Sequence, residues 1–127
     1  MRQDLFEYAV IRVVPLVERE EFLNVGVIVY CGPQKFLNMK FSLDAERLRA
    51  LNSKLDIDEL TSNLQAFEKV CAGGKTGGPI GSLSVPERFR WLTASRSTVV
   101  QFSKVHPGLC DDASQMLNRL FDQLVLH

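Results

Sequence analysis

The sequence predicts one α+β domain, with a mainly antiparallel sheet of about four strands and helices packed on one face. Three observations predict it. The N-terminal third alternates apolar and polar residues at strand period, and later segments repeat apolar residues at helical period behind capping residues. The length of 127 residues is close to the commonest size of a single domain. The expected order is β-β-β-α-α-α-β-α over residues 1–127.

The first three strands are predicted to form an antiparallel meander. The first runs from Phe6 to Val14, where β-branched residues favour a strand and Pro15 ends it. The second covers about residues 22–31, and a connection of hairpin length at 32–35 leads to the third. The core side of the second strand is expected to carry Leu23, Val25, Val27 and Val29, and that of the third Leu37, Met39, Phe41 and Leu43.

Helices are expected behind side chains that can accept hydrogen bonds from free N–H groups of a first turn. The predicted caps are Asp44, Asp56, Ser84 and Asp112. The longest helix shows one apolar stripe and stops at Gly73, which is assigned the left-handed αL conformation. Residues 73–82 are predicted to be a flexible glycine-rich loop. Residues 97–103 are predicted to be a fourth strand in the same sheet, beside the first.

Bulk composition excludes several classes of function. Fifteen basic residues balance fifteen acidic ones, so the chain has no global field to attract nucleic acid or an anionic membrane. Three widely spaced cysteines fit neither a zinc knuckle nor a disulfide scaffold, and reduced thiols are expected. No secretory h-region or membrane-length apolar run is present in the sequence. We therefore expect a cytoplasmic protein without metal or cofactor.

No catalytic motif passes a test of spacing. Lys75 and Thr76 resemble part of a phosphate-binding loop, but Lys69 stands where that loop needs glycine, and the segment follows a helix. The acidic run at 18–21 is interpreted as a solvated connector, because acid catalysis needs a desolvated carboxyl group.

His106 lies in a predicted turn after the fourth strand, with Cys110 and two aspartates close behind it. An ordinary turn with a helix cap is the favoured interpretation. The alternative is a small hydrolase or nuclease-like enzyme that uses His106, Arg12, Arg96 and Ser97 on a phosphate-bearing substrate.

A polar face of the sheet is the main candidate site. Guanidinium, amide and hydroxyl groups on a rigid sheet suit recognition of an anion or a peptide, and Gly26 would allow close approach. A bland interpretation is a solvated face, or one closed by a second copy in a homodimer. With an adjoining loop residue, the candidate binding residues are Arg12, Asn24, Asn38, Lys40, Arg96, Ser97, Gln101 and His106.

Six blocks in order along the chain carry a family resemblance. They are YAVIRVVP (8–15), EREEFLNVGVIVYC (18–31), LDAERLRAL (43–51), ERFRWL (87–92), SRSTVVQFSKVHPGL (95–109) and LNRLFDQLV (117–125). Together they resemble the bacterial domain-of-unknown-function family 3037. The resemblance implies a stand-alone protein encoded beside a HipA-like kinase, with a role as its accessory or partner. The leading hypothesis is therefore a non-catalytic binding or protein-interaction module.

Overall fold

The structure, a computed structural model, describes residues 3–94 and 99–126. In chain order its elements are β1 (Asp4–Val13), β2 (Leu23–Cys31), β3 (Phe36–Phe41), α1 (Ala45–Leu51), α2 (Ile57–Ala72), α3 (Gly78–Gly81), α4 (Val85–Thr93), β4 (Val100–Phe102), β5 (His106–Cys110) and α5 (Ala113–Leu124). The predicted α+β class is confirmed. Among the described residues, none of the helices combines the length and apolar character needed to cross a membrane.

The sheet has the order β3-β2-β1-β4, and every pairing in it is antiparallel. The predicted meander is present, and β4 lies beside β1 as expected. β5 also pairs with β1, further along the same edge, although its residues were expected to form a turn. Pro107 and Gly108 suggested that turn, but proline is tolerated in an edge strand, where its missing N–H is not needed.

A β-bulge in β2 determines which side chains share a face. The register with β1 shifts between Ile11 and Arg12, and Val25 is the extra residue on β2. The alternation restarts after the bulge, so Val25 packs in one core while Val27 and Val29 pack in the other. The single apolar face expected for β2 is thus divided between both sides of the sheet.

Helices pack against both faces of the sheet, in contrast to the expected one. The larger core joins the sheet to α1, α2 and α4 through buried residues such as Leu48, Leu64 and Phe89. The second core joins the opposite face to α5, with Phe6 and Leu117 among its buried residues. The apolar side of α5 must be buried against an apolar surface. The β2 residues that the bulge turns to this face of the sheet provide that surface.

The predicted caps are confirmed. Asp44, Asp56 and Asp112 accept hydrogen bonds from first-turn N–H groups, and Ser84 with Glu87 forms a capping box. Gly73 ends α2 with a positive φ of 78°, but its ψ of −177° is not αL. The loop after it contains a 3-10 turn at Lys75–Gly77 and the one-turn helix α3.

Candidate functional site

Most of the predicted polar site residues lie on one face of the sheet. Arg12 pairs with Asn24 on one side and with Gln101 on the other. Asn38 and Lys40 of β3 pair with Val29 and Val27, which the bulge turns to this same face. Arg96 and Ser97 lie outside the described residues. The sequence therefore identified residues that do share a face, but α5 covers much of it.

The amide and ammonium groups on this face hold α5 and the sheet edge. Lys40 Nζ donates a hydrogen bond to Asn118 Oδ1 at 3.3 Å and lies 4.9 Å from the ring centroid of Phe121. Asn24 Nδ2 donates to the carbonyl of Leu124 at 3.1 Å, near the end of α5. Asn38 Oδ1 accepts from the N–H of the next residue along β3. These contacts give the side chains a structural role, and ligand binding by them stays a prediction.

Arg12 lies at the end of the sheet nearest the start of β2. Its guanidinium carbon is 4.3 Å from the centroid of the Phe22 ring, a cation–π contact. Its Nε and the Oδ1 of Asn24 are buried and lack a hydrogen-bond partner among the described residues. Gly26 nearby needs its small size for the sheet itself, since a Cβ there would lie 2.6 Å from the carbonyl oxygen of Lys40.

His106 does not converge with Arg12. Its exposed imidazole lies against Tyr8, with ring centroids 5.3 Å apart, and its backbone pairs with the same residue. Arg12 is four residues further along β1, which separates the Cα atoms of Tyr8 and Arg12 by about 13 Å. The Arg12 guanidinium extends over Phe22, so the geometry gives no support to an acid–base site that combines Arg12 with His106.

The other partners suggested for His106 are also dispersed. Cys110 is four residues away at the far end of β5, again about 13 Å along an extended strand. Asp112 accepts hydrogen bonds from the N–H groups of Ser114 and Gln115, as the cap of α5. Within residues 3–94 and 99–126, no three histidine, cysteine, aspartate or glutamate side chains are grouped as metal ligands would be.

A groove between α2 and β4 is the largest of the three described concavities, with a volume of about 460 Å³ against about 210 and 200 Å³. It extends from the residue before the cap of α2 to the third turn of that helix, with the start of β4 opposite. Its apolar lining consists of Leu55, Leu60, Ala66, Phe67, Val99 and Val100. This is an apolar site of ordinary ligand-pocket size.

An aromatic cluster adjoins the groove through Phe67. The ring of Phe67 lies 5.8 Å from that of Phe102 and 6.5 Å from that of Trp91, measured between centroids. Trp91 is 37% exposed although it is a large apolar side chain. The cluster extends the apolar surface from the groove to the outer side of α4. Exposed aromatic rings beside a concavity are typical of the centres of protein interfaces.

The mouth of the groove is acidic. Asp56 and Glu59, in and beside the first turn of α2, line it together with the amide of Asn63. The N–H of Glu59 donates to Asp56 Oδ1 at 3.1 Å, which fixes the capping carboxylate but leaves its charge in place. Among the described residues, neither carboxylate takes part in an ion pair. The described lining contains no lysine or arginine.

The family profile described as "Protein of unknown function (DUF3037)" matches residues 8–125. That match covers nearly the whole chain. The chain belongs to the DUF3037 family. No match was found among curated proteins, and none among solved structures. The resemblance seen in the sequence blocks is therefore confirmed at the level of the family, whereas the association with a HipA-like kinase stays a prediction.

The thiols of this DUF3037 chain are buried and free, as expected. Burial raises the pKa of Cys71 from 9.0 to about 12 and that of Cys110 to about 11. The thiolate is the reactive form of cysteine. We therefore expect iodoacetamide at pH 8 to leave both residues unmodified in the folded protein and to modify them in urea. Rapid modification of the folded chain at either residue would contradict this.

The raised pKa of Cys71 determines how the stability of the fold changes with pH. Below pH 9 the Cys71 thiol keeps its proton in both the folded and the unfolded chain. Between pH 9 and about 12 only the unfolded chain loses this proton. The free energy of unfolding therefore falls as the pH rises through this range. In urea titrations at pH 7.5, 9 and 10.5, the Cys71→Ala variant should show a shallower decline than the original chain.

The groove of the DUF3037 chain was missed in the sequence because each of its parts has a local explanation. Asp56 is interpreted from the sequence as a helix cap, and the apolar residues of the helix that follows it as one stripe. Both interpretations are correct for the helix, but neither indicates a groove beside it. The sequence feature that could have indicated the groove is Ala66, a small apolar residue on the exposed side of α2.

Proposed function

We propose that this chain is a non-catalytic protein-interaction module whose groove between α2 and β4 receives a segment of a partner protein. One observation carries the proposal: the largest described concavity is apolar and is continuous with the exposed ring of Trp91. A pocket for a small molecule would bury its aromatic residues around the ligand. Here the aromatic surface extends outward, which favours a macromolecular partner.

The two sheet edges are weaker candidates for the same role. A partner strand would need free N–H and C=O groups along an edge. On the β3 edge, the Asn38 side chain already accepts from the N–H of Met39. On the other edge β4 has only three residues, and β5 contains Pro107, which has no N–H. Strand addition is therefore poorly supported at both edges.

The first partner to test is the HipA-like kinase that the family resemblance implies. The buried free thiols are compatible with a reducing compartment, so the interaction is proposed to take place in the cytoplasm. A homodimer that uses the same groove is the competing arrangement. Light scattering on the isolated chain over a range of concentrations separates the two.

Amide hydrogen exchange of the co-purified complex tests the proposal. We expect slower exchange in residues 55–67 and 99–102 than in the free chain, together with a shift in the fluorescence of Trp91, the only tryptophan. Residues 113–124 of α5 provide an internal control, since that helix lies on the opposite face of the sheet. Protection confined to α5 or β3, or protection that depends only on the concentration of the free chain, would rule the proposal out.

A further inference from the structure

The charge at the mouth of the groove indicates which partner segments it can accept. Asp56 and Glu59 both line the mouth and are exposed to solvent. Within the described residues neither has an ion-pair partner. The chain as a whole has a formal net charge of zero, so this negative potential is local. A partner that desolvates the mouth must supply positive charge or leave two carboxylates uncompensated.

Helix capping explains the charge of Asp56, but it does not explain why Glu59 also lines the groove. Asp56 is needed as the cap, and acidic residues in a first turn are favoured by the helix dipole. That preference would be equally well served by Asp58, which is in the same turn but does not line the groove. Glu59 instead adds its carboxylate to the mouth. The two neighbours thus give a natural comparison of a charge at the groove with a charge beside it.

We propose that the groove takes a short segment that is both apolar and basic. This inference rests on the proposed function and deepens it by naming the partner's chemistry. An apolar side chain of the segment packs against Leu60, Phe67 and Val100, and a lysine or arginine of the same segment lies beside Asp56 and Glu59. An acidic or uncharged apolar segment is disfavoured by the same geometry, because it leaves both carboxylates unpaired on burial.

Two synthetic peptides test the inference directly. Both carry a Leu-Leu-Phe centre, flanked by lysines in one and by glutamates in the other. Titration against the full chain, followed by Trp91 fluorescence and calorimetry, should show the lysine peptide binding at least about tenfold more tightly, in line with two favourable surface charge pairs for this peptide and two repulsive ones for the glutamate peptide. Raising the salt from 0.05 M to 0.5 M should reduce this ratio, since the charges are screened.

Charge reversal at adjacent positions supplies the matched control. Glu59→Lys should weaken the lysine peptide about fivefold or more, whereas Asp58→Lys, with the same cost to the helix dipole, should weaken it less than about twofold at 0.15 M salt. Equal binding of both peptides, or equal effects of the two substitutions, overturns the inference. If neither peptide binds, the basic segment is wrong, and the exchange experiment on the complex then decides separately whether the proposed function stands.

Discussion

Replacing Ala66 with arginine is expected to weaken partner binding strongly while the fold stays intact. Ala66 is exposed on α2 and lines the apolar part of the groove. An arginine side chain there extends across the space in which the partner segment would lie. Arginine is nearly as favourable as alanine in a helix interior, so α2 itself tolerates the change. Disruption of an interface at one of its few hot-spot positions weakens binding about 30-fold or more, and the same loss is expected here.

Gln65→Arg is the matched control for this prediction. Gln65 is the preceding residue on α2, is also exposed, and does not line the groove. Both variants add one positive charge and the same side chain. Calorimetry should give unchanged affinity for Gln65→Arg and a large loss for Ala66→Arg, with urea midpoints close to those of the original chain. Equal loss in both variants would indicate a general effect of charge, and full binding by Ala66→Arg would remove the groove from consideration.

Local sequence signals were sufficient for most elements. The caps at Asp44, Ser84 and Asp112 are in place because a side-chain acceptor satisfies free N–H groups within its own first turn. The apolar stripes of α2 and α5 are buried because a helix with one apolar side must cover it. Each of these relations involves residues within a few positions of one another.

The arrangement of helices on two faces depends on a relation between strands. The bulge at Val25 shifts the register by one residue, which changes the face of every later residue in β2. The sequence contained a hint, because Val27, Ile28 and Val29 form a continuous apolar run. Such a run is typical of a strand buried on both sides. If only alternate residues of β2 are taken as apolar, the pattern predicts helices on one face of the sheet.

The candidate site was predicted only in part for a similar reason. Arg12, Asn24 and Gln101 do share a face, which strand period can predict. Whether α5 covers that face depends on its path after β5, which no short pattern contains. The groove likewise combines residues 55–67 with residues 99–100, and it exists only once α2 packs beside β4.

Replacing Arg88 with methionine is expected to lower the free energy of unfolding by about 3 kcal/mol. Arg88 is 9% exposed, and its guanidinium lies against the C-terminal end of α2. Its Nη1 donates to the carbonyls of Val70 and Cys71 at 2.8 and 2.7 Å, and its Nε donates to the carbonyl of Leu83 at 3.1 Å. Methionine retains the apolar stem but leaves these three acceptors without their donor.

The carbonyl groups at the end of a helix have no partner within the helix, and they carry the negative end of its dipole. Arg88 satisfies two of them and connects α4 to α2 across the glycine-rich segment. Two features of this arrangement favour glycine at position 73. The φ of Gly73 is positive, and a Cβ there would lie 2.7 Å from Arg88 Nη1. The arginine thus stabilises the packing of α4 on α2, beside the aromatic cluster of the groove.

Arg90→Met tests whether the effect belongs to the buried contacts or to the loss of a charge. Arg90 is on the same helix and is exposed, so its replacement should cost no more than about 1 kcal/mol, mainly from the helix dipole. Urea unfolding of both variants, analysed by linear extrapolation, gives the comparison. A loss for Arg88→Met no greater than that for Arg90→Met would show that water replaces the guanidinium at these carbonyls. The end of α2 would then not depend on α4 for its hydrogen bonds.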